Sequence, residues 1–173
     1  GMLFAELRRQ GVFDDLVILI SSDHGENLGE LNIYGDHHTA DHVTSRVPLI
    51  VRWPEINGSR TPDTFKGPGP INLVDRALHY QCDMAATVTE LAGGECSPRW
   101  DGRSFAEAFR KGQSAGRESL VVSQCAWSCQ RSVRFSDYIA IRTYDTGLKN
   151  FPEWMLFDVK TDRDIALLKI WQK

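Results

Sequence analysis

A short apolar run, Leu16 to Ile20, constrains the fold of this chain more than any other feature of its sequence. The run is unbroken, is rich in β-branched residues and follows a segment with helical spacing. Such a run is typical of a strand that is buried on both faces, as in a parallel sheet. The polar residues Ser21 to Gly25 follow directly, at the position where open α/β sheets bind their ligands. The sequence therefore predicts an α/β fold with a ligand site near Asp23 and His24.

The spacing of apolar residues and the positions of glycine predict the other elements. Helices are expected at 2–9, 83–91, 105–109 and 164–171. Further strands are expected at 47–53, 120–122, 133–144 and 155–159. The segment 133–144 is interpreted as one strand plus a turn, with 155–159 as its hairpin partner. Residues 26–46 are polar and lack a clear period, which is typical of a long functional loop, here with a helical turn from Ala40.

Composition excludes several classes of protein. The chain has 173 residues, a net charge of −3 and 42% hydrophobic residues, which fits one soluble globular domain or part of a larger one. The small net charge argues against a nucleic-acid partner. No apolar run approaches the roughly 18–20 residues that a membrane helix needs, so no membrane partner is expected.

The four cysteines are Cys82, Cys96, Cys125 and Cys129. They form no CxxC pair, which argues against a zinc–cysteine site and a disulfide scaffold. We expect mostly buried free thiols. Cysteine usage leaves the compartment unassigned and slightly favours a reducing one.

Two clusters could carry chemistry. Asp23 and His24 form a mixed ligand pair for a divalent metal, although such a pair also occurs in capped turns. The segment Asp36 to His42 contains three of the five histidines. A helix would place His38 and His42 on one face, as in a helical zinc pair. The alternatives are a solvated polar loop, or a histidine that contacts an anionic substrate.

Ordered blocks along nearly the whole chain resemble the sulfatase family of the alkaline phosphatase superfamily. The blocks are Ser22-Asp23-His24-Gly25-Glu26 with Leu28-Gly29-Glu30, Arg46 to Pro54, Cys82 to Gly93, Asp101 to Phe105, Val133-Arg134 with Tyr138, and Leu156 to Asp162. The resemblance implies a partial alkaline-phosphatase-like fold. Residues 1–115 would be the carboxyl-terminal part of the α/β core, with a mixed or parallel sheet and flanking helices. Residues 116–173 would be a small antiparallel β subdomain with a closing carboxyl-terminal helix.

The resemblance also implies hydrolysis of sulfate esters, either of small molecules or of glycans. The family holds a divalent cation, commonly calcium, and uses a formylglycine made from Cys or Ser in a C/S-x-P-x-R motif. Asp23 and His24 match its metal ligands, and His37 matches its substrate-contacting histidine. The family's lysine beside that histidine is Asp36 here, which removes one sulfate-neutralising charge. We expect His38 or His42 to compensate for it.

Two parts of the family site have no counterpart in these 173 residues. The early paired-Asp strand is missing, and the nearest match to the nucleophile motif, Cys96 to Trp100, has Trp100 where the motif needs Arg. We therefore expect no catalytic residue here, a metal site that can be empty, and no sulfate-ester hydrolysis by this carboxyl-terminal portion alone. An incomplete sheet exposes an edge and apolar faces, which predicts a homo-oligomer.

Two alternatives stay open. The first is a non-enzymatic metal-binding or interaction module that uses the cluster of His37, His38 and His42. It predicts tight zinc binding, whereas the sulfatase interpretation predicts weak binding of an oxygen-preferring metal. The second is a remnant of a phosphodiester or phosphonate hydrolase of the same superfamily.

Overall fold

The computed structural model describes residues 1–54 and 74–161. Its helices are α1 (Met2–Arg9), α2 (His42–Ser45), α3 (Asp83–Leu91) and α4 (Ala106–Lys111). Its strands are β1 (Ile18–Ser21), β2 (Asn27–Leu28), β3 (Tyr34–Asp36), β4 (Leu49–Arg52), β5 (Ser119–Cys125), β6 (Cys129–Phe135), β7 (Tyr138–Asp145) and β8 (Trp154–Asp158). The predicted α/β class is confirmed. The closing helix predicted at 164–171 lies outside the described residues. Within them, no helix is both long and apolar enough to cross a membrane.

The chain divides into two compact units that alternate along the sequence. The first unit consists of Gly1–Leu19 and Ile50–Arg117, and the second consists of Ile20–Leu49 and Glu118–Lys173. The division into 1–115 and 116–173 that the sequence suggested stays a prediction.

In the first unit, helices α1 and α3 form where the sequence predicted them. Helix α1 is followed by Gly11, whose φ of 72° is in the left-handed region that favours glycine. The ring of Phe4 contacts the ring of Phe13 edge-on at 5.6 Å. Helix α3 buries Ala86 and Leu91. These contacts follow from apolar residues repeating at helical spacing.

The second unit contains an antiparallel four-stranded sheet in the order β5-β6-β7-β8. Alternate residues on one face of β7 and β8 are buried and form the core with Ile33 and Phe151: Ile139, Ile141, Met155 and Phe157. The hairpin partner predicted at 155–159 is confirmed, since Ile141 pairs with Met155 in the ladder.

The segment predicted at 133–144 as one strand plus a turn instead contains parts of two strands, β6 and β7, joined by a turn. The chain reverses at Ser136 and Asp137, and Ser136 has a φ of 44°. Apolar alternation continues on both sides of this short turn, so the periodicity alone does not reveal the reversal.

Strands β1 and β4 form a separate two-stranded sheet. The prediction that the first strand is buried on both faces is wrong for the described residues, because the neighbouring residues Leu19 and Ile20 are 43% and 41% exposed. The physical reason is that strand side chains point out of the sheet plane and are buried only where helices or another sheet cover that face. The exposure of these side chains shows that the described residues leave both faces of the sheet of β1 and β4 partly uncovered.

Candidate functional site

The second unit brings together three side chains that could hold a metal ion: His24, Glu26 and His37. One ligand atom of each lies within 4.8 Å of those of the other two. The Nδ1 atom of His37 lies 3.1 Å from Oε2 of Glu26. The rings of His24 and His37 stack with their centroids 3.8 Å apart. We call these three residues the His24 cluster.

The loop that carries this cluster is held against α2 through Gly25. The Gly25 amide donates to the Thr44 carbonyl at 2.8 Å. A Cβ atom at position 25 would lie 1.9 Å from the Val43 carbonyl oxygen, so this close approach requires glycine. The Ser22 hydroxyl donates to the His24 carbonyl at 2.6 Å. The backbone on both sides of His24 is therefore fixed.

Asp23 lies beside the cluster with its side chain 86% exposed. Its Oδ1 atom accepts a hydrogen bond from the His24 amide at 3.0 Å, and its Oδ2 atom lies 3.7 Å from His24 Nε2. The hydrogen bond from the His24 amide is the main cause that lowers the pKa of the Asp23 carboxyl. The structure thus places Asp23 and His24 side by side, with an ionised carboxylate next to an imidazole.

The donor set distinguishes between metals. Calcium takes about six to eight oxygen ligands. The His24 cluster with Asp23 supplies two imidazoles and two carboxylates. Imidazole nitrogen suits zinc and other transition metals, whereas carboxylate also suits calcium and manganese. The described residues therefore do not make a calcium site by themselves, and they fit a divalent ion with mixed nitrogen and oxygen ligands.

The stacking of the two rings limits how such an ion could be bound. The planes of His24 and His37 differ by 17°. Imidazole lone pairs lie in the ring plane, so in this arrangement they point side by side and do not converge. Binding one ion through both rings therefore requires one ring to rotate.

The side chain of Lys149 places a positive charge close to this site. The sequence patterns did not predict this residue as part of it. The Nζ atom of Lys149 lies 3.2 Å from Oδ2 of Asp36. His38 also contacts this carboxylate through Nδ1 and through its amide, the latter at 2.8 Å. Partial burial acts to raise the pKa of the Asp36 carboxyl, but the hydrogen bonds from the His38 amide, Lys149 and His38 outweigh it and lower the pKa to about 2.

The predicted helical pair of His38 and His42 is wrong. Helix α2 begins at His42, and the Asp41 side chain caps it by accepting a hydrogen bond from the Thr44 amide at 2.9 Å. Because Asp41 is the N-cap, the helix begins after it and His38 lies outside the helix. Burial, together with the positive charges of Arg46 and Arg134, lowers the pKa of His42. Among the described residues, His42 is not part of the group that could hold an ion.

A buried polar network supports the loop before α2. The side-chain Nδ2 of Asn27 donates to Thr39 Oγ1 at 3.0 Å and to Asp41 Oδ2 at 3.1 Å. The Gln130 side chain accepts from the Ala40 amide at 3.0 Å. Because buried polar groups are costly unless they are paired, this network determines where the chain runs between β3 and α2.

His38 and Trp127 continue the series of ring contacts that begins with His24 and His37. The sequence patterns did not predict Trp127 as part of this site. The ring of His38 lies 4.5 Å from His37, and the Trp127 ring lies edge-on to His38 at 6.0 Å. The Ser128 hydroxyl donates to the His38 carbonyl at 2.8 Å. Trp127 is 59% exposed. The sequence shows only an aromatic residue between two cysteines, which carries no signal of this contact.

The cysteines are another correction. Cys82, Cys96 and Cys125 are exposed and Cys129 is partly exposed, so the expectation of mostly buried thiols is wrong. Cys125 and Cys129 lie at the end of a hairpin, and Cys96 lies in a loop after α3. Such positions leave side chains in contact with solvent.

A second polar cluster lies in the first unit. The His79 Nε2 atom lies 3.3 Å from Asp75 Oδ2 and 3.0 Å from the Ser114 hydroxyl. The Ser114 hydroxyl donates to Asp75 at 2.5 Å. Nearby, the buried carboxylate of Asp83 pairs with Arg117 at 2.6 Å. Because Ser114 donates its proton to Asp75, it is not arranged as a nucleophile activated by His79.

Comparison with known proteins gives these observations a family context. The family model described as Sulfatase matches residues 1–94. The "Multifunctional alkaline phosphatase superfamily protein PehA" of Trinickia caryophylli is 30% identical over 118 residues, which is 65% of this chain and 20% of that protein. The "N-acetylglucosamine-6-O-sulfatase" of Bacteroides thetaiotaomicron is 25% identical over 169 residues, 94% of this chain and 28% of that protein.

A solved structure described as a complex with "its substrate D-Glucosamine-2-N, 6-O-disulfate" has the same fold. Its TM-score is 0.67 at 21% identity, and the match covers 95% of this chain and 32% of that one. The chain thus spans between a fifth and about a third of the length of these relatives.

Proposed function

Because this chain belongs to the sulfatase family, we propose that it supplies part of the substrate site of a sulfuric ester hydrolase that acts on a sulfated glycan. The observation that carries the proposal is the row of rings formed by His24, His37 and His38 beside the carboxylate of Asp23. Imidazole N–H groups donate to sulfate oxygens, and a tryptophan such as Trp127 offers an apolar face for a sugar ring.

Within this proposal, Asp23 and His24 are ligands of a divalent ion and His37 contacts the sulfate group. The distance of 3.7 Å between Asp23 Oδ2 and His24 Nε2 is compatible with two atoms that share one ion. Such an ion would neutralise negative charge on the sulfate oxygens. Calcium would require more oxygen ligands than these residues provide, so we leave the metal as a divalent ion.

We also propose the finer layout that the resemblance implies. Residues 1–115 correspond to the carboxyl-terminal part of the family's α/β core, and residues 116–173 form a small subdomain. The coverage of 95% of this chain by a relative's structure supports this layout. The antiparallel sheet of β5 to β8, which starts at Ser119, supports the boundary.

We propose that these 173 residues do not hydrolyse sulfate esters alone. No segment of the chain contains the C/S-x-P-x-R motif, and the near match at Cys96 has Trp100 in place of the required arginine. The Cys96 thiol donates to the Ala86 carbonyl at 3.3 Å within the first unit. A sulfatase without its nucleophile retains binding groups but lacks the attacking oxygen.

The phosphonate or phosphodiester hydrolase alternative stays a proposal, because the similarity to the alkaline phosphatase superfamily protein PehA is compatible with any ester hydrolase of that superfamily. One observation, the His24 cluster, favours the metal-binding alternative, but with a different set of ligands from the one that the sequence suggested. Glu26 and His24 join His37 there, whereas the sequence suggested His38 and His42. Both alternatives use the same residues as the sulfatase proposal, so ligand preference separates them.

The experiment that tests the proposal is calorimetric titration of the chain with N-acetylglucosamine 6-sulfate, N-acetylglucosamine and N-acetylglucosamine 6-phosphate. We expect binding of the sulfated sugar only, with at least a tenfold loss of affinity in His37→Asn. His79→Gln, in the first unit, is the matched control and should bind like the original chain once its fold is verified. Preference for the phosphorylated sugar would favour the phosphate-ester alternative, and equal binding of the unsulfated sugar would refute the role of His37.

A further inference from the structure

The hairpin that carries Trp127 has a cysteine on each side of its turn. Cys125 is the last residue of β5 and Cys129 is the first residue of β6. The two residues are direct partners in the antiparallel ladder. Directly opposed residues in such a ladder have Cα atoms about 4.5–5.5 Å apart and side chains on the same face. This range lies within the roughly 4.4–6.8 Å that a disulfide requires.

The two thiols also interact and can be reached from solvent. A hydrogen bond with the Cys125 thiol is the main cause that raises the pKa of the Cys129 thiol. Cys125 is exposed and Cys129 is partly exposed. The remaining cysteines lie in the first unit, where Cys82 precedes α3 and the Cys96 thiol is engaged by the Ala86 carbonyl. Only Cys125 and Cys129 are paired across a ladder in the described strands.

We propose that Cys125 and Cys129 form a redox-active pair that is oxidised to a disulfide by a low-molecular-weight disulfide such as oxidised glutathione. In the first step, one cysteine thiolate attacks a sulfur of the reagent, whose S–S bond breaks and releases one thiol. In the second step, the other cysteine thiolate displaces the remaining thiol. Two cysteine thiols lose two electrons and two protons, and the reagent disulfide gains them as two thiols.

The disulfide would close a loop that consists of Ala126, Trp127 and Ser128. This loop already packs tightly, because a Cβ atom at Gly147 (φ 57°) would lie 1.6 Å from the Trp127 carbonyl oxygen. It also contacts His38 through the Ser128 hydroxyl and the Trp127 ring. A covalent link at the base of the loop would restrict its motion and hold Trp127 against His38. This inference is independent of sulfate-ester hydrolysis.

Peptide mass spectrometry tests the proposal on the full chain. The protein is incubated with equal concentrations of reduced and oxidised glutathione, and free thiols are then alkylated. Trypsin releases residues 118–131, which contain Cys125 and Cys129 without the other two cysteines. We expect most of this peptide to be lighter by about 2 Da than the reduced form and to resist alkylation until it is reduced.

Two variants make the result specific. Cys129→Ser should carry glutathione on Cys125 in place of the internal bond, whereas the double variant Cys82→Ser and Cys96→Ser should form the bond as the original chain does. Oxidation of the original chain should change its tryptophan fluorescence, because the disulfide holds Trp127 against His38. This change should be absent in Cys129→Ser. Glutathione on both cysteines of the original chain, a bond to Cys82 or Cys96, or fully alkylated peptide would each overturn the proposal.

Discussion

The rings of His24 and His37 stack at 3.8 Å, and this contact joins the loop after β1 to the end of β3. The proposed metal ligand and the proposed sulfate-binding residue thus form one surface. A change in the orientation of either ring is expected to disturb the other. Metal binding and substrate binding should therefore be coupled at this site.

The first prediction tests the metal-binding alternative, in which His37 is a metal ligand and not the sulfate contact. We expect the chain to bind Zn²⁺ more tightly than Ca²⁺, because the His24 cluster offers two imidazoles and one carboxylate. Glu26→Gln and His37→Asn should each weaken zinc binding about tenfold or more, as expected when a ligand is lost. His42→Gln is the control, since His42 lies outside the cluster. Isothermal titration with each ion measures the affinities, and tighter binding of calcium would contradict the prediction.

The second prediction concerns catalysis. Purified chain should show no turnover of an aryl sulfate above the buffer rate, because the nucleophile motif is absent from its sequence. Release of the aryl alcohol can be followed by absorbance. Any turnover would contradict the prediction. Its loss in Cys96→Ala would show that the near-match motif is catalytic, and its persistence in that variant would indicate another nucleophile in this chain.

The third prediction concerns self-association. Leu19 and Ile50 expose apolar surface on the two-stranded sheet of β1 and β4, which favours association of copies through this sheet. We expect a dimer or larger species in light scattering, and Ile50→Lys should shift it toward the monomer. Leu148→Lys replaces an exposed residue of the second unit and should leave the distribution unchanged. A monomer at all concentrations would refute the prediction.

The fourth prediction is a pH dependence through Asp36. The pKa of its carboxyl is about 2, below the usual 3.8, so the native state favours the ionised form. This stabilisation is fully present above about pH 5 and is lost as the pH falls from about 4 to 2. Asp36→Asn should lower the free energy of unfolding at pH 7 by about 1.5–3 kcal/mol, typical of hydrogen bonds to a charged group.

Urea unfolding of Asp36→Asn between pH 7 and pH 2.5 measures this effect. The difference from the original chain should shrink toward acid pH, because protonated Asp36 no longer attracts Lys149. Asp15→Asn changes an exposed carboxyl on the turn before β1 and serves as the control. A difference that does not vary with pH would show that the charge of Asp36 is not its source.

The fifth prediction concerns the buried pair of Asp83 and Arg117. The carboxylate of Asp83 accepts hydrogen bonds from the Arg103 amide at 2.7 Å and the Tyr80 amide at 2.8 Å. Asp83→Ala would leave the Arg117 guanidinium and both amides without their partner, which should cost about 3–5 kcal/mol. Denaturant unfolding measures the loss. Glu153→Gln, in the exposed pair with Arg142, should cost less than about 1 kcal/mol. Equal losses would contradict the argument from burial.

Local patterns in the sequence predicted much of the secondary structure. Helices α1 and α3 follow from apolar residues at helical spacing with glycine after their ends, and β8 follows from alternation. These signals are local, because side chains within a few residues of one another determine which face of an element is apolar. The turn predicted within 133–144 was not placed at Ser136, and the strand on its other side was missed, since apolar residues alternate on both sides of it.

The sequence by itself determined the family, because its short motifs occur in the family's order along the chain. It also predicted His24 and His37 as site residues with separate roles. Only the tertiary structure decided which other groups join them. Glu26 faces His37 because β2 and β3 pair, and Lys149 and Trp127 come from distant hairpin connections. Such contacts depend on how strands register and pack, which no local spacing encodes.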